Sequence, residues 1–191
     1  MADTRVLIVK GSPRKNGNSA VLADQVAAGA REAGAQVESI YLHGMDISPC
    51  DACEACEASA DAECIIDDDM QLLYPKIREA DAVVYASPIY WFTISAQLKL
   101  FMDRCYALGG DEVEDHGLAG KRIGVVLTYG DDDPFGSGAI NAIHTFQDTF
   151  RYIPAEIVGF VHGSANDPGE IMANEDVMQK AYDLGRKLVS G

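Results

Sequence analysis

The stretch Val6-Leu7-Ile8-Val9-Lys10-Gly11-Ser12-Pro13-Arg14-Lys15-Asn16-Gly17-Asn18-Ser19 decides the fold. Its first four residues form the short, unbroken apolar run of a buried strand. Residues 19–33 then have the Ala-rich composition of a helix. A strand that becomes a helix through small and hydroxyl residues is how α/β proteins build an anion site. The unpaired N–H groups at the helix start and the helix dipole both favour negative charge there. Ser12, Asn18 and Ser19 add side-chain donors, while Arg14 and Lys15 add positive charge. The stretch therefore reads as a phosphate cradle, with an ordinary turn capped by Ser or Asn as the alternative.

The kind of phosphate can be narrowed. A P-loop needs Gly-Lys followed by Ser or Thr, and here the corresponding residues are Gly17-Asn18-Ser19, which argues against a nucleoside triphosphate. The dinucleotide fingerprint needs three spaced glycines, and only Gly11 and Gly17 are present. A phosphate monoester remains, and flavin mononucleotide (FMN) is the commonest cofactor that ends in one.

The rest of the chain alternates apolar runs with helical patterns. Strands are expected at residues 5–10, 36–41, 82–86, 122–128 and 156–161, the second the most polar and so an edge. Helices are expected at 19–33, 70–79, 95–105, 138–150 and 175–189. Ile94, Leu98, Phe101 and Cys105 recur at helical spacing, as do Ile140, Ile143, Phe146 and Phe150. Pro75 falls inside the second helix pattern and predicts a kink or a later start. Five alternating units imply an α/β fold: a three-layer sandwich around a five-stranded parallel sheet, in the order 2-1-3-4-5 that puts a switch point beside the cradle. At 191 residues the chain is expected to form a single domain, 1–191. No run has the length of a membrane helix and the start lacks a signal-peptide pattern, so a cytoplasmic protein without a membrane partner is expected. The net charge of −15 opposes nucleic acid.

Residues 42–69 break the rhythm, being far longer than an ordinary connection. They hold Cys50, Cys53, Cys56 and Cys64, four of the five cysteines. Steps of three, three and eight resemble the spacing of iron–sulfur ligands. A zinc site is the first rival. A redox-active thiol pair is the second, disfavoured because no Lys or Arg lies between Arg31 and Lys76 while carboxylates crowd the loop. A cysteine loop that binds nothing is the remaining alternative. Cys105, on an apolar helix face, reads as a core residue.

After the third strand comes Ser87-Pro88-Ile89-Tyr90-Trp91-Phe92, expected on the same sheet edge as the cradle. Three consecutive aromatic residues there suit a flat ring such as isoalloxazine; a plug or a subunit interface is the alternative. Tyr129-Gly130, after the fourth strand, is placed as a third wall. The aspartates 131–133 read as a solvated turn, and the four histidines show no ligand spacing.

These motifs together resemble the flavodoxin-like NAD(P)H-dependent FMN reductases, and among them the iron–sulfur flavoproteins. The carrying residues are Gly11–Ser19, the Cys50–Cys64 run, Ser87–Trp91, and the helix start Ser95-Ala96-Gln97-Leu98-Lys99 with Phe101-Met102-Asp103-Arg104. The resemblance implies a flavodoxin-like fold and a homodimer or homotetramer with flavin near a subunit interface. It implies FMN phosphate held by Ser12, Arg14, Asn18 and Ser19, and the ribityl chain and ring held by Ser87 to Phe92. It implies a [4Fe-4S] cluster on Cys50, Cys53, Cys56 and Cys64, close to the flavin. The expected protein is an FMN-dependent redox enzyme without an acid–base side chain, with the chemistry carried by FMN. Electrons would pass from ferredoxin or NAD(P)H to a quinone, an oxygen species or another carrier. A cluster-free FMN or quinone reductase, and a carrier or zinc-stabilised binding module without turnover, are the alternatives.

Overall fold

The computed structural model describes residues 4–59, 63–109 and 112–190. The strands β1 (Arg5–Lys10), β2 (Gln36–Tyr41), β3 (Ala82–Tyr90), β5 (Arg122–Tyr129) and β6 (Glu156–Ser164) pair in parallel in the order β2-β1-β3-β5-β6. This is the expected order, with the switch point beside β1. A sixth strand was not expected: β4 (Thr93–Ile94) turns back antiparallel on the end of β3, pairing Ile89 with Ile94 and Tyr90 with Thr93. Consequently β3 runs four residues past its expected end and takes in Ser87, Pro88, Ile89 and Tyr90.

Side chains on the central strands alternate between two cores, as the pleat requires. Leu7, Val9, Val83, Tyr85, Ile123, Val125 and Leu127 face α2 (Met70–Glu79), α3 (Ala96–Arg104) and α4 (Ala139–Tyr152). Val6, Ile8, Ala82, Val84, Ala86 and Val126 face α1 (Asn18–Glu32) and α5 (Glu175–Ser190). Helices thus cover both faces, which explains why the central strands are apolar throughout. The edge strand β2 is mostly exposed or half-buried. Pro75 lies within α2, which runs unbroken through it. Its later helix start, one of the two expected outcomes, does not occur.

The connection after β2 is tied at its base. Asp46 N–H donates to Asp69 at 2.7 Å, and Asp69 N–H returns to the Asp46 carbonyl at 3.0 Å. Cys50, Cys53, Cys56 and Cys64 therefore lie in an excursion whose two ends touch. No helix among the described residues is long and apolar enough to cross a membrane.

Candidate functional site

Parallel strands bring their carboxyl ends to one edge, and there hydrogen bonds join the loops into one assembly. Gly11 N–H donates to the Ala86 carbonyl at 2.8 Å. Its own carbonyl accepts from the Ser95 hydroxyl at 2.7 Å, and the same hydroxyl caps α3 by accepting from Leu98 N–H at 3.2 Å. A Cβ on Gly11 would lie 2.7 Å from Leu98 Cβ, so only glycine lets the cradle pack this closely on α3. The Asn18 amide donates to the Asp167 carbonyl at 2.9 Å and accepts from Ile171 N–H at 3.3 Å, tying the cradle to the loop after β6. That loop reaches the end of β5 through Asn166, whose amide donates to the Gly130 carbonyl at 3.0 Å.

The cradle is a compact turn. Ser12, 3% exposed, accepts from Arg14 N–H at 3.1 Å, and Gly17 N–H returns to the Arg14 carbonyl at 3.1 Å. Helix α1 then starts from an extended Gly17 without a side-chain cap. Its first backbone bond runs from Val21 N–H to the Gly17 carbonyl, leaving the preceding helical N–H groups as anion donors. Ser19 is buried just inside the helix, and Arg14 is exposed. Lys15 lies over the Tyr41 ring, 5.6 Å from its centre, and Tyr41 donates to the Pro13 carbonyl at 2.6 Å.

The aromatic stretch is a two-residue hairpin. Trp91 and Phe92 occupy its turn with φ of +49° and +68°, the left-handed pair that normally selects Asn-Gly. Trp91 is 92% exposed. The turn is held from α4: Asn141 donates to the Phe92 carbonyl at 3.0 Å, and a Cβ on Gly138 would stand 2.6 Å from Phe92 Cα. Two left-handed backbone positions thus carry large, exposed apolar side chains. Pro88 and Ile89 are half-buried and Tyr90 is exposed.

Two proposed ligands have other partners for their side chains. Ser87 is fully buried; its hydroxyl donates to the Pro88 carbonyl at 2.7 Å and accepts from Ser95 N–H at 2.9 Å. The Asn18 amide is held by the β6 loop as described. These bonds tie both side chains into the loops at the carboxyl ends of the strands, and for Asn18 the partners lie as far as 153 residues away. Tyr129 is 6% exposed and its hydroxyl meets His162 Nδ1 at 3.0 Å. Burial, and secondarily the charge of Asp133, push its hydroxyl pKa up, while burial pushes the imidazole of His162 down. The pair is therefore neutral. Asp133 accepts from Phe135 and Gly136 N–H groups, as a solvated turn does.

Cys50 and Cys53 are exposed, and Cys56 and Cys64 are half-buried, all as free thiols. Ala52 and Glu54 on either side of Cys53 have φ of +56° and +59°, a turn geometry that gathers backbone N–H groups around anions and iron–sulfur centres. Burial raises the Cys56 thiol pKa, and Cys64, Glu57 and Cys50 add to the rise. Among the described residues no three His, Cys, Asp or Glu side chains are arranged around a single metal ion. The loop rests on the C-terminal end of α3, where Arg104 Nη2 donates to Cys64 Sγ at 3.3 Å. The cradle touches the opposite end of that helix, about 13 Å away along its axis. A cavity of about 590 Å³ lies beneath the cysteine loop, between α3 and α4, with Cys56, Tyr85, Cys105, His116 and Phe150 in its wall. Burial pushes the Cys105 thiol far up, consistent with a core residue.

A sheet of this order, with an uncapped helix and an aromatic turn at its switch point, defines a flavin-dependent oxidoreductase of flavodoxin-like fold. The chain belongs to the NADPH-dependent FMN reductase family, which matches residues 4–165, and within it to the iron–sulfur flavoproteins. It is 37% identical to the iron–sulfur flavoprotein of Methanosarcina thermophila, over 94% of this chain and 91% of that protein. An iron–sulfur flavoprotein of Methanocaldococcus jannaschii is 36% identical, over 96% and 95%. Among solved structures, the Trp repressor binding protein from Bacillus subtilis matches with a TM-score of 0.69 at 26% identity, covering 95% of this chain and 99% of that one.

Proposed function

We propose that this oxidoreductase converts two-electron to one-electron transfer. It would draw on NAD(P)H or ferredoxin and reduce a quinone, an oxygen species or a protein carrier. The observation that carries the reading is the joining of the uncapped α1 terminus to the aromatic turn through Gly11, Ser95 and β3. Bound FMN supplies hydride acceptance and single-electron release, and a [4Fe-4S] cluster on Cys50, Cys53, Cys56 and Cys64 supplies a one-electron path.

The protein's part is binding and shielding. The N–H groups at the start of α1, with Arg14 above them and Ser12 and Ser19 packed beneath, receive the phosphate. Backbone from Ser87 to Phe92 borders the ring, with Tyr129 and Gly130 as the far wall. Trp91 and Phe92 exclude water from it once covered. Their exposure supports a homodimer or homotetramer in which the turn meets another subunit. The four free thiols, the left-handed turns beside Cys53 and the N–H aimed at Cys64 fit a cluster's donor set. FMN would carry the chemistry, with no acid–base side chain required. The chain would act as one domain in the cytoplasm.

The test is FMN, iron, acid-labile sulfide and zinc per chain after anaerobic purification, followed by anaerobic NAD(P)H addition. One FMN with iron and sulfide in equal amounts is expected, with bleaching of the flavin band. A chain with neither flavin nor cluster absorbance would overturn the proposal. FMN alone with rapid bleaching would instead identify a cluster-free quinone or FMN reductase.

A further inference from the structure

Arg104, at the end of α3, is the largest fully buried side chain among the described residues, 1% exposed. Its Nη1 donates to the Ser48 carbonyl at 2.8 Å and to Asp68 Oδ2 at 2.5 Å. Nη2 donates to Cys64 Sγ and to Asp68 Oδ1, each at 3.3 Å. The Asp68 side chain is buried as well, and accepts from the N–H groups of Ser48 and Met70, both at 2.9 Å. The Tyr74 hydroxyl donates to the Arg104 carbonyl at 3.2 Å. One guanidinium thus joins the residue two before Cys50 to Cys64, the last cysteine of the loop, and to the carboxylate four residues beyond it. Its Nε is buried without a partner.

Stability alone does not account for this arrangement. A buried ion pair is often no better than an apolar substitute, and an unpartnered buried donor is a further cost. The cysteine loop has no Lys or Arg of its own between Arg31 and Lys76, and it carries Asp51, Glu54, Glu57, Glu63 and Asp67. Arg104 brings positive charge to it from another element.

We propose that Arg104 is a positioning residue for the iron–sulfur centre: it closes the cysteine loop and aims a fixed charge and an N–H at the sulfur of Cys64. The proposal rests on reading the four cysteines as cluster ligands. Partners behind the ligands orient them, and hydrogen bonds to sulfur together with local charge set the reduction potential. A cation beside Cys64 favours the more negative, reduced centre and offsets the surrounding carboxylates. Only a planar fork reaches Ser48, Cys64 and Asp68 together, so lysine restores the charge without the geometry.

Arg104→Lys and Arg104→Gln in the full chain test this. FMN per chain reports folding. Hydrogen exchange of residues 46–69 is followed in iron-free protein. Iron retention against a chelator and the cluster's midpoint potential are measured after anaerobic reconstitution. Both variants are expected to keep FMN, to exchange faster in the loop, and to hold iron about tenfold less tightly. The potential is expected to be most negative in Arg104→Gln and intermediate in Arg104→Lys. Wild-type exchange, retention and potential in Arg104→Lys would overturn the proposal. Should Arg104→Gln fail to fold with Asp68 left unpaired, Arg104→Lys decides alone. Should the wild type take up no iron, the cluster reading falls separately, and unchanged loop exchange in Arg104→Lys would sink the loop-closing role too.

Discussion

Gly138 is the residue on which the aromatic turn leans. Its φ of +78° and its approach to Phe92 leave no room for a side chain. Gly138→Ala is expected to cost about 1–3 kcal/mol, from left-handed strain and overpacking. The hairpin would shift and FMN affinity would fall, read by denaturant melts and flavin titration of the same sample. His116 gives a second prediction. Its ring is held neutral, with Nδ1 accepting from Leu118 N–H at 3.1 Å and Nε2 meeting the Cys105 carbonyl at 3.2 Å. Burial first, then the charge of Arg78, pull its folded pKa below the ordinary 6.5, against the opposing pull of the Cys105 bond. A depressed folded pKa means the contribution is complete above 6.5 and is lost as pH falls from there through the folded value. Melting curves at stepped pH should show stability dropping on acidification, and His116→Gln should flatten that slope; His162, depressed in the same sense, keeps part of it. Neither residue was legible beforehand. His116 lacks any patterned neighbour in sequence, and Gly138 stands among other small residues with nothing to announce Phe92 above it.

At the scale of elements, the β3–β4 hairpin departs most from its sequence. Turn residues announce hairpins, and Trp-Phe at two left-handed positions contradicts that signal. This is why the stretch reads as a loop from sequence and folds as paired strand. The helices were legible because core-facing side chains repeat at helical spacing, as Leu98 and Phe101 do in α3 and Phe146 and Phe150 in α4, all buried. Replacing Trp91-Phe92 by Asn-Gly separates strain from function. Relief of two left-handed side chains is expected to stabilise the flavin-free protein by about 1–2 kcal/mol. On a chain of this size that is a rise of roughly 2–4 °C in Tm per kcal/mol. The same replacement should weaken FMN retention and lower the apparent mass in size-exclusion chromatography. A variant that melts higher and keeps both flavin and assembly would show the aromatic turn to be dispensable.

For the whole molecule, the sheet order followed from one strand, one cradle and alternating units, because topology rules leave few choices once these are placed. The positions of the described parts of the 42–69 excursion did not follow, since they depend on Asp46, Ser48, Asp68, Asp69 and Arg104 meeting across long separations. Charge is the other global property. With a net charge of −15, encounter with a basic protein acceptor is steered by attraction and encounter with an acidic one is opposed. Stopped-flow reduction of a basic c-type cytochrome should therefore slow as salt rises, while reduction of an uncharged quinone stays level. Helix α3 connects the two candidate centres, fastened to Gly11 through Ser95 and to Cys64 through Arg104. Such a strut depends on its length as well as on the side chains at its two ends. One inserted residue would swing the far end through about 100°, parting the guanidinium from its sulfur while the near end stayed in place.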